Sequence, residues 1–282
     1  MILQVHSLDD PRVSAYRHVG DHPWLRSRNL FVAEGRLVLL RLLAAGLQID
    51  SVLLSPAALE ALRAALEPLK QPVYVAGQPV LDGIAGFNFH RGCLALARRP
   101  APADPLRLAR AQLLLGLEGI GNPDNVGGLF RTAAAFGVDA VLIDDATSDP
   151  FYRKAVRTSM GAVLRVPFDV AQNWHDRCAS LRQQGFSVVA LATETEAIAL
   201  DEFASGVRAG DRLLVLVGAE GAGLSRRSRQ EADVRVRIPM AHGIDSLNVT
   251  VAAGIALSRL ARRTGRRFDG SGPDSIIDPG AE

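Results

Sequence analysis

IPMAHGIDSLNVTVAAGIALSRL, residues 238 to 260, runs from the end of an apolar stretch through a Gly- and Ser-containing turn straight into a helical pattern. Two further stretches behave alike: EGIGNPDNVGGLFRTAAAFG at 118 to 137 and LLVLVGAEGAGLS at 213 to 225. Each places turn residues directly after an apolar run, and at least two continue into a helix. Three such loops can converge at one end of a sheet, which is where open α/β domains build ligand sites. A single Gly-rich loop would mean little, because most serve turns; three in one half of a chain point to a site.

Working outward, the second half alternates strand and helix. Strands are predicted at 112–117, 140–143, 163–167, 187–192, 213–217 and 234–238, which implies an α/β fold with a largely parallel sheet covered on both faces. The first half reads as a smaller α/β unit. It has strands at 29–33, 50–54, 73–76 and 93–97, helices at 36–45 (stopped by Gly46) and 56–66, and a short helix near 79–84. RRPAPADPLRLAR at 98 to 110 reads as a linker, with a boundary near residue 105. The expected organisation is an N-terminal unit over 1–100, a linker at 101–111, a second domain over 112–263, and a mobile Gly-, Pro- and Asp-rich tail at 264–282.

At 282 residues, 48% hydrophobic and 22% charged, the chain can bury two sizeable cores. No run of 18 apolar residues and no basic-then-apolar start occurs, so neither a membrane span nor a signal peptide is expected, and the expected location is the cytoplasm. Cys93 and Cys178 stand far apart without CxxC or HxxxH spacing, which argues against a metal site and a disulfide-built fold. Net charge is only +2, yet of 32 basic residues only Lys70 and Lys154 are lysines. Arginine clusters at 153–157, 226–229 and 259–267 suit an anionic partner such as nucleic acid, although codon bias also enriches arginine.

In the first loop, Asn125 is expected to cap the helix VGGLFRTAAAF, which Gly137 closes. Arg131 falls in that helix beside Leu129 and Phe130; buried there it needs an anion, and otherwise it is a solvated surface arginine. The second loop lacks the Lys-Ser/Thr of a Walker loop, and its glycines do not fit GxGxxG. Gly218, Gly221 and Gly223 instead suggest tight turns and close backbone approach to a ligand, with Glu220 either a solvated carboxylate or a site acid. In the third loop, Ser246 is expected to cap a helix starting at Leu247, with Asn248 in its first turn, a polar residue in want of a partner. No GxSxG elbow surrounds Ser246, so a serine hydrolase fits poorly, and His242 reads as a loop residue.

The order NPDNVGGLFRTAAAFG, LVLVGAEGAGLS, IPMAHGIDSLNVTVAAGI resembles the three motifs of the SpoU/TrmH family of RNA ribose methyltransferases, in the SPOUT superfamily, in register over roughly 112 to 263. SDPFYRKAVRTSMGAVLRVPF at 148 to 168 is similar to the family's connecting segment. Through FVAEGRLVLLRLLAAGLQIDSVLLS at 31 to 55, the N-terminal half resembles the small RNA-binding domain, akin to kink-turn-binding ribosomal proteins, that many members carry. The resemblance implies a C-terminal domain with a deep trefoil knot that binds S-adenosylmethionine and forms a homodimer, with no metal. It implies cofactor contacts at Ala192, Thr193, Gly218, Ile238, Met240 and Leu247, and polar site residues at Asn125, Arg131, Glu220, Ser246 and Asn248.

The implied reaction is attack of a ribose 2′-oxygen on the cofactor methyl, with RNA and not DNA as substrate, and rRNA favoured over tRNA by analogy. Family accounts make the first-motif arginine the base, but a protonated guanidinium has no lone pair to take a proton. Arg131 is therefore read as stabilising charge on the ribose oxygen or holding a phosphate, with a deprotonated arginine as the alternative. Competing readings are methylation of a base nitrogen, a non-catalytic RNA-binding protein on the same fold, and a dinucleotide oxidoreductase, which the glycine spacing disfavours.

Overall fold

The computed structural model describes residues 1–86, 92–101, 108 and 110–265. The linker expected at 101–111 therefore lies largely, and the tail expected at 264–282 almost wholly, outside the described residues. Before the linker, a five-stranded sheet has the order β1 (Ile2–Val5), β4 (Val73–Ala76), β3 (Ile49–Leu54), β5 (Cys93–Arg98), β2 (Leu30–Glu34). β5 runs antiparallel between β3 and β2, and the other pairs are parallel. Helices α1 (His22–Ser27), α2 (Arg36–Ala44), α3 (Pro56–Leu66) and α4 (Gln78–Ala85) and a 3-10 helix at Pro11–His18 cover it. α3 shows how the sequence sets an element: the Ser55 hydroxyl accepts from Ala58 N, Pro56 occupies the first turn, and Ala58, Leu62 and Leu66 turn one stripe into the core.

The second sheet has seven strands, all paired in parallel, in the order β10 (Ile198–Ala199), β12 (Val234–Arg237), β9 (Phe186–Leu191), β11 (Arg212–Gly218), β6 (Leu113–Glu118), β7 (Ala140–Ile143), β8 (Phe168–Val170). β6 and β11 sit centrally and are apolar almost throughout, as strands buried on both faces must be. The two-residue period splits them cleanly. Leu113, Leu115, Leu117, Leu213, Val215 and Val217 face one core, with α5 (Pro123–Ala135), α6 (Arg153–Thr158), α8 (Leu200–Gly206) and α10 (Val249–Arg263). Leu114, Leu214 and Leu216 face another, closed by Trp174, Cys178 and Leu181 of α7 (Trp174–Gln183), whose Trp174 Nε1 donates to the Ser228 hydroxyl of α9 (Arg226–Glu231) at 3.1 Å.

The strand expected at 163–167 is not formed. Met160 and Gly161 both take left-handed backbone conformations, φ +51° and +83°, and turn the chain into a 3-10 helix at Ala162–Leu164. Val163 and Leu164 are buried by that turn rather than by a ladder, and the short edge strand follows at Phe168–Val170.

The two sheets share one core. Phe31, Ala33, Leu39 and Leu42 of the first half belong to the same apolar cluster as Leu115, Val126 and Phe130 of the second, and the Phe31 and Phe151 rings lie 4.9 Å apart. Several polar attachments across this junction reach the 149–160 stretch. Glu34, 4% exposed, meets the Arg153 guanidinium at 2.8 Å and Arg157 at 3.9 Å. Arg41 donates to the Met160 carbonyl at 2.5 Å. Asp149 lies 2.8 Å from Arg99 and 3.2 Å from His22. Burial pushes the His22 imidazole below its ordinary pKa; the Asp149 charge works the other way, and Arg99 and Arg26 reinforce the lowering. Burial raises the Asp149 carboxyl, but the Arg99 hydrogen bond and charge, with the Phe151 amide, more than offset it and hold it below the usual range. Among the described residues no helix is long and apolar enough to cross a membrane.

Candidate functional site

Because β12, β9, β11 and β6 are neighbours and parallel, their carboxyl ends lie along one edge, and the loops leaving them meet there. They enclose a cavity of about 640 Å³, within the roughly 300–1,000 Å³ of small-molecule sites. Ala192 and Thr193 after β9, Gly218 at the end of β11, and Ile238, Met240 and Leu247 after β12 all line it. So do Glu220, Ser246 and Asn248.

Gly218 is set by geometry. A Cβ there would lie 2.1 Å from Gly223 C and 2.2 Å from Leu224 N, because the 219–224 loop folds back on the end of its own strand. The fold-back is tied by Gly223 N donating to Ala219 O at 2.8 Å, with Gly221 and Gly223 at φ +82° and +67°. Gly218, Gly221 and Gly223 line the cavity and put no side chain into it.

Two helix caps differ from expectation. Asn122, not Asn125, caps α5, its side chain accepting from Asp124 N at 2.9 Å, and Pro123 occupies the first helical turn as its fixed φ favours. Asn125 is inside that turn, 8% exposed, and its Oδ1 accepts from Asn248 Nδ2 at 3.1 Å. Likewise Asn248, not Ser246, caps α10: its backbone is still extended (ψ 138°) and its Oδ1 accepts from Thr250 N at 2.9 Å. Its Nδ2 also donates to Glu220 Oε1 at 2.6 Å. One amide therefore joins the first and second loops while capping the helix of the third. Ser246 is exposed two residues earlier on the cavity wall.

Arg131 is not brought to this cluster. It is exposed on α5, does not line the cavity, and has no hydrogen bond or ion pair with any described residue, so of the two readings it is the solvated surface arginine. Beneath the first loop, buried Asp144 accepts from Gly119 N at 3.0 and 2.9 Å and from the Thr147 hydroxyl at 2.5 Å, fixing the turn that leads to Asn122. Sequence reading missed three charged lining residues: Glu194, paired with Arg229 at 3.0 Å, Arg229 itself, and Asp245. Only their adjacency to Thr193 and Ser246 could have flagged Glu194 and Asp245.

Both cysteines are free and buried. Burial pushes each thiol up to about 12, so neither supplies a thiolate nucleophile near neutral pH. Among the described residues no group of three His, Cys, Asp or Glu side chains is placed to hold a metal ion.

Comparison with known proteins agrees with this geometry. Residues 112–258 match the model of the SpoU rRNA Methylase family. Over 259 residues the chain is 38% identical to an uncharacterized tRNA/rRNA methyltransferase of Mycobacterium bovis, covering 90% of each chain. Among solved structures it resembles an AdoMet-bound rRNA methyltransferase from Sinorhizobium meliloti, with a TM-score of 0.78, 26% identity, and 94% of this chain and 99% of that one covered. It also resembles an RNA 2′-O ribose methyltransferase, with a TM-score of 0.75, 26% identity, and 93% and 99% covered. A doubly covered parallel sheet, three loops meeting at its carboxyl edge and a family match over more than half the chain lead to one statement: the chain belongs to the SpoU rRNA methylase family.

Proposed function

We propose that the protein transfers a methyl group from S-adenosylmethionine to a ribose 2′-hydroxyl of RNA, with ribosomal RNA preferred. The observation that carries the reading is the Asn248 amide, 3.1 Å from Asn125 and 2.6 Å from Glu220 at the rim of a cavity of fitting size. The lining suits the cofactor: Thr193, Glu220, Ser246 and Asn248 offer polar groups to its polar edges, while Ile238, Met240 and Leu247 offer apolar contact. When bound, the cofactor supplies an electrophilic methyl on a sulfonium sulfur. Ile238, Met240 and Leu247 exclude water from that end of the cavity. Asn248 holds Glu220 and Asn125 in one orientation, so that Asn125, Glu220 and Ser246 can position the ribose. Arg131 stabilises negative charge on the ribose oxygen or grips an adjacent phosphate, and the hydroxyl proton leaves to water.

The exposed setting of Arg131 suits a role toward a second molecule. α5 and α10 pack closely where Gly128 meets Thr250 and Gly254 meets Thr132, and beside them lie exposed Ala134, Ala135 and Val251, the last 50% exposed. We take this face as the homodimer contact. The first sheet is taken as the RNA-binding unit, the second as the catalytic domain with the chain threaded into a trefoil knot around the 219–224 fold-back, and the location as the cytoplasm. The test uses tritiated-methyl S-adenosylmethionine with RNA from a strain lacking the gene, followed by nuclease digestion and mass analysis. Label on the ribose 2′-oxygen is expected. Label on a base nitrogen, or no affinity for the cofactor or S-adenosylhomocysteine by calorimetry, would overturn the proposal.

A further inference from the structure

The cavity wall carries a surplus of negative charge. Among its described lining residues are three carboxylates, Glu194, Glu220 and Asp245, and one cation, Arg229. Arg229 Nε pairs with Glu194 Oε1 at 3.0 Å and its Nη1 donates to the Leu224 carbonyl at 3.0 Å, so its charge is matched by Glu194. Glu220 is held by the uncharged amide of Asn248, which orients it without neutralising it. Asp245 has no hydrogen bond or ion pair with any described residue. Two carboxylates thus remain uncompensated, and Asp245 adjoins Ser246 at the same rim as the Asn125–Glu220–Asn248 cluster.

We infer that Asp245 is a specificity-determining residue that makes this cavity favour the methyl donor, with its sulfonium charge, over the product, whose sulfur is neutral. The inference rests on the cofactor reading above. S-adenosylmethionine and S-adenosylhomocysteine share the adenosine, the amino group and the carboxylate, and differ by one methyl and the sulfonium charge. An uncompensated carboxylate at the reacting end attracts the first more than the second. The charge disappears when the methyl leaves, so the attraction is lost in the same step, and release of the spent compound is favoured. Glu220 shares the surplus, but its hydrogen bond to Asn248 ties it to the geometry of the cluster. Asp245 has no such tie and acts by charge alone.

The test is calorimetry of the full-length protein and its Asp245→Asn and Asp245→Lys variants, each with S-adenosylmethionine and with S-adenosylhomocysteine at low salt. Asp245→Asn should weaken the charged ligand about threefold. Asp245→Lys should weaken it about tenfold, since reversal removes an attraction and adds a repulsion. Both variants should hold S-adenosylhomocysteine within about twofold of wild type, which also shows the loop to be intact. Equal weakening of both ligands places the contact on a group they share and overturns the inference, as does an unchanged ratio. In either case wild-type binding leaves the cofactor reading standing. Should wild type bind neither compound, that reading fails and the inference with it.

Discussion

Asn248 spans two of the three loops with a single amide: Nδ2 lies 3.1 Å from Asn125 Oδ1 and 2.6 Å from Glu220 Oε1, while Oδ1 receives the Thr250 N–H at 2.9 Å. Donor and acceptor ends are thus both committed, and the two roles can be separated by substitution. Asn248→Ala should cost about 1 kcal/mol through the lost cap. Asn248→Asp keeps a capping oxygen but sets a second carboxylate against Glu220. Both should lower methyl incorporation into RNA by about a hundredfold. Melts and tritium incorporation check this; full turnover in Asn248→Asp would remove the bridge from the mechanism.

Arg131 is exposed and has no hydrogen bond or ion pair with any described residue, so its loss should leave the fold alone. Arg131→Ala is expected to melt within about 2 °C of wild type, as surface changes do, and to bind S-adenosylhomocysteine unchanged, yet to transfer little methyl. Arg131→Lys keeps the charge and loses the fork. Wild-type turnover in that variant would show that bidentate contact is not what the residue provides.

Gly218→Ala is a test of close backbone approach. Its Cβ, 2.1 Å from Gly223 C, would force the loop off the strand end. We expect a loss of about 3 kcal/mol in urea unfolding, together with loss of ligand binding. Gly121→Ala is the control: no heavy atom lies within 4 Å of the added carbon, and the change should be nearly neutral. Comparable effects at the two sites would contradict the assigned geometry.

Stability should fall with acid in two stages. The unfolded chain protonates His22 below about pH 6.5, whereas the folded chain resists, because burial lowers the imidazole pKa there. The unfolded state then binds the extra proton, so stability declines from that pH down through the lowered folded value. Asp149, also held below its ordinary range, adds a further decline below about pH 4. Urea titrations of His22→Asn between pH 7 and 5 should show a shallower slope than wild type; an identical slope assigns the first stage elsewhere.

Glu34→Gln removes a buried carboxylate facing Arg153 across the junction of the sheets. A loss of about 3 kcal/mol is expected. Trp24 and Trp174 report on the two halves separately, and with one shared apolar cluster both should change in a single transition. Two resolved transitions in the wild type would contradict a common core.

Much of the fold is legible in the sequence because period and punctuation agree. Ser55 supplies a cap, and residues 56–66 carry a proline and a stripe of apolar residues, which α3 occupies. β7 and β4 are likewise short apolar runs with turn signals around them. The 163–167 stretch misleads because an apolar run buried by a turn looks like one buried by a ladder; only Gly161 hints at the difference. The caps of α5 and α10 misread for a related reason, since Asn122 and Asn125, or Ser246 and Asn248, are both suitable chemistries and the backbone chooses between them. Pro123 was the available signal for the first pair. The shared core was invisible, because Phe31 and Ala33 look the same in sequence whether they face their own helices or the other sheet.

The fused apolar junction, pinned at Asp149, Arg153 and Met160, has a mechanical consequence. If the first sheet is the RNA-binding unit proposed above, the halves would act as a caliper with locked jaws and not as a hook on a tether. RNA held by that sheet would reach the cavity at a set span and angle. Selection would then fall to the distance between two features of a folded target, so a helix lengthened or shortened between them should go unmodified even with its local sequence intact.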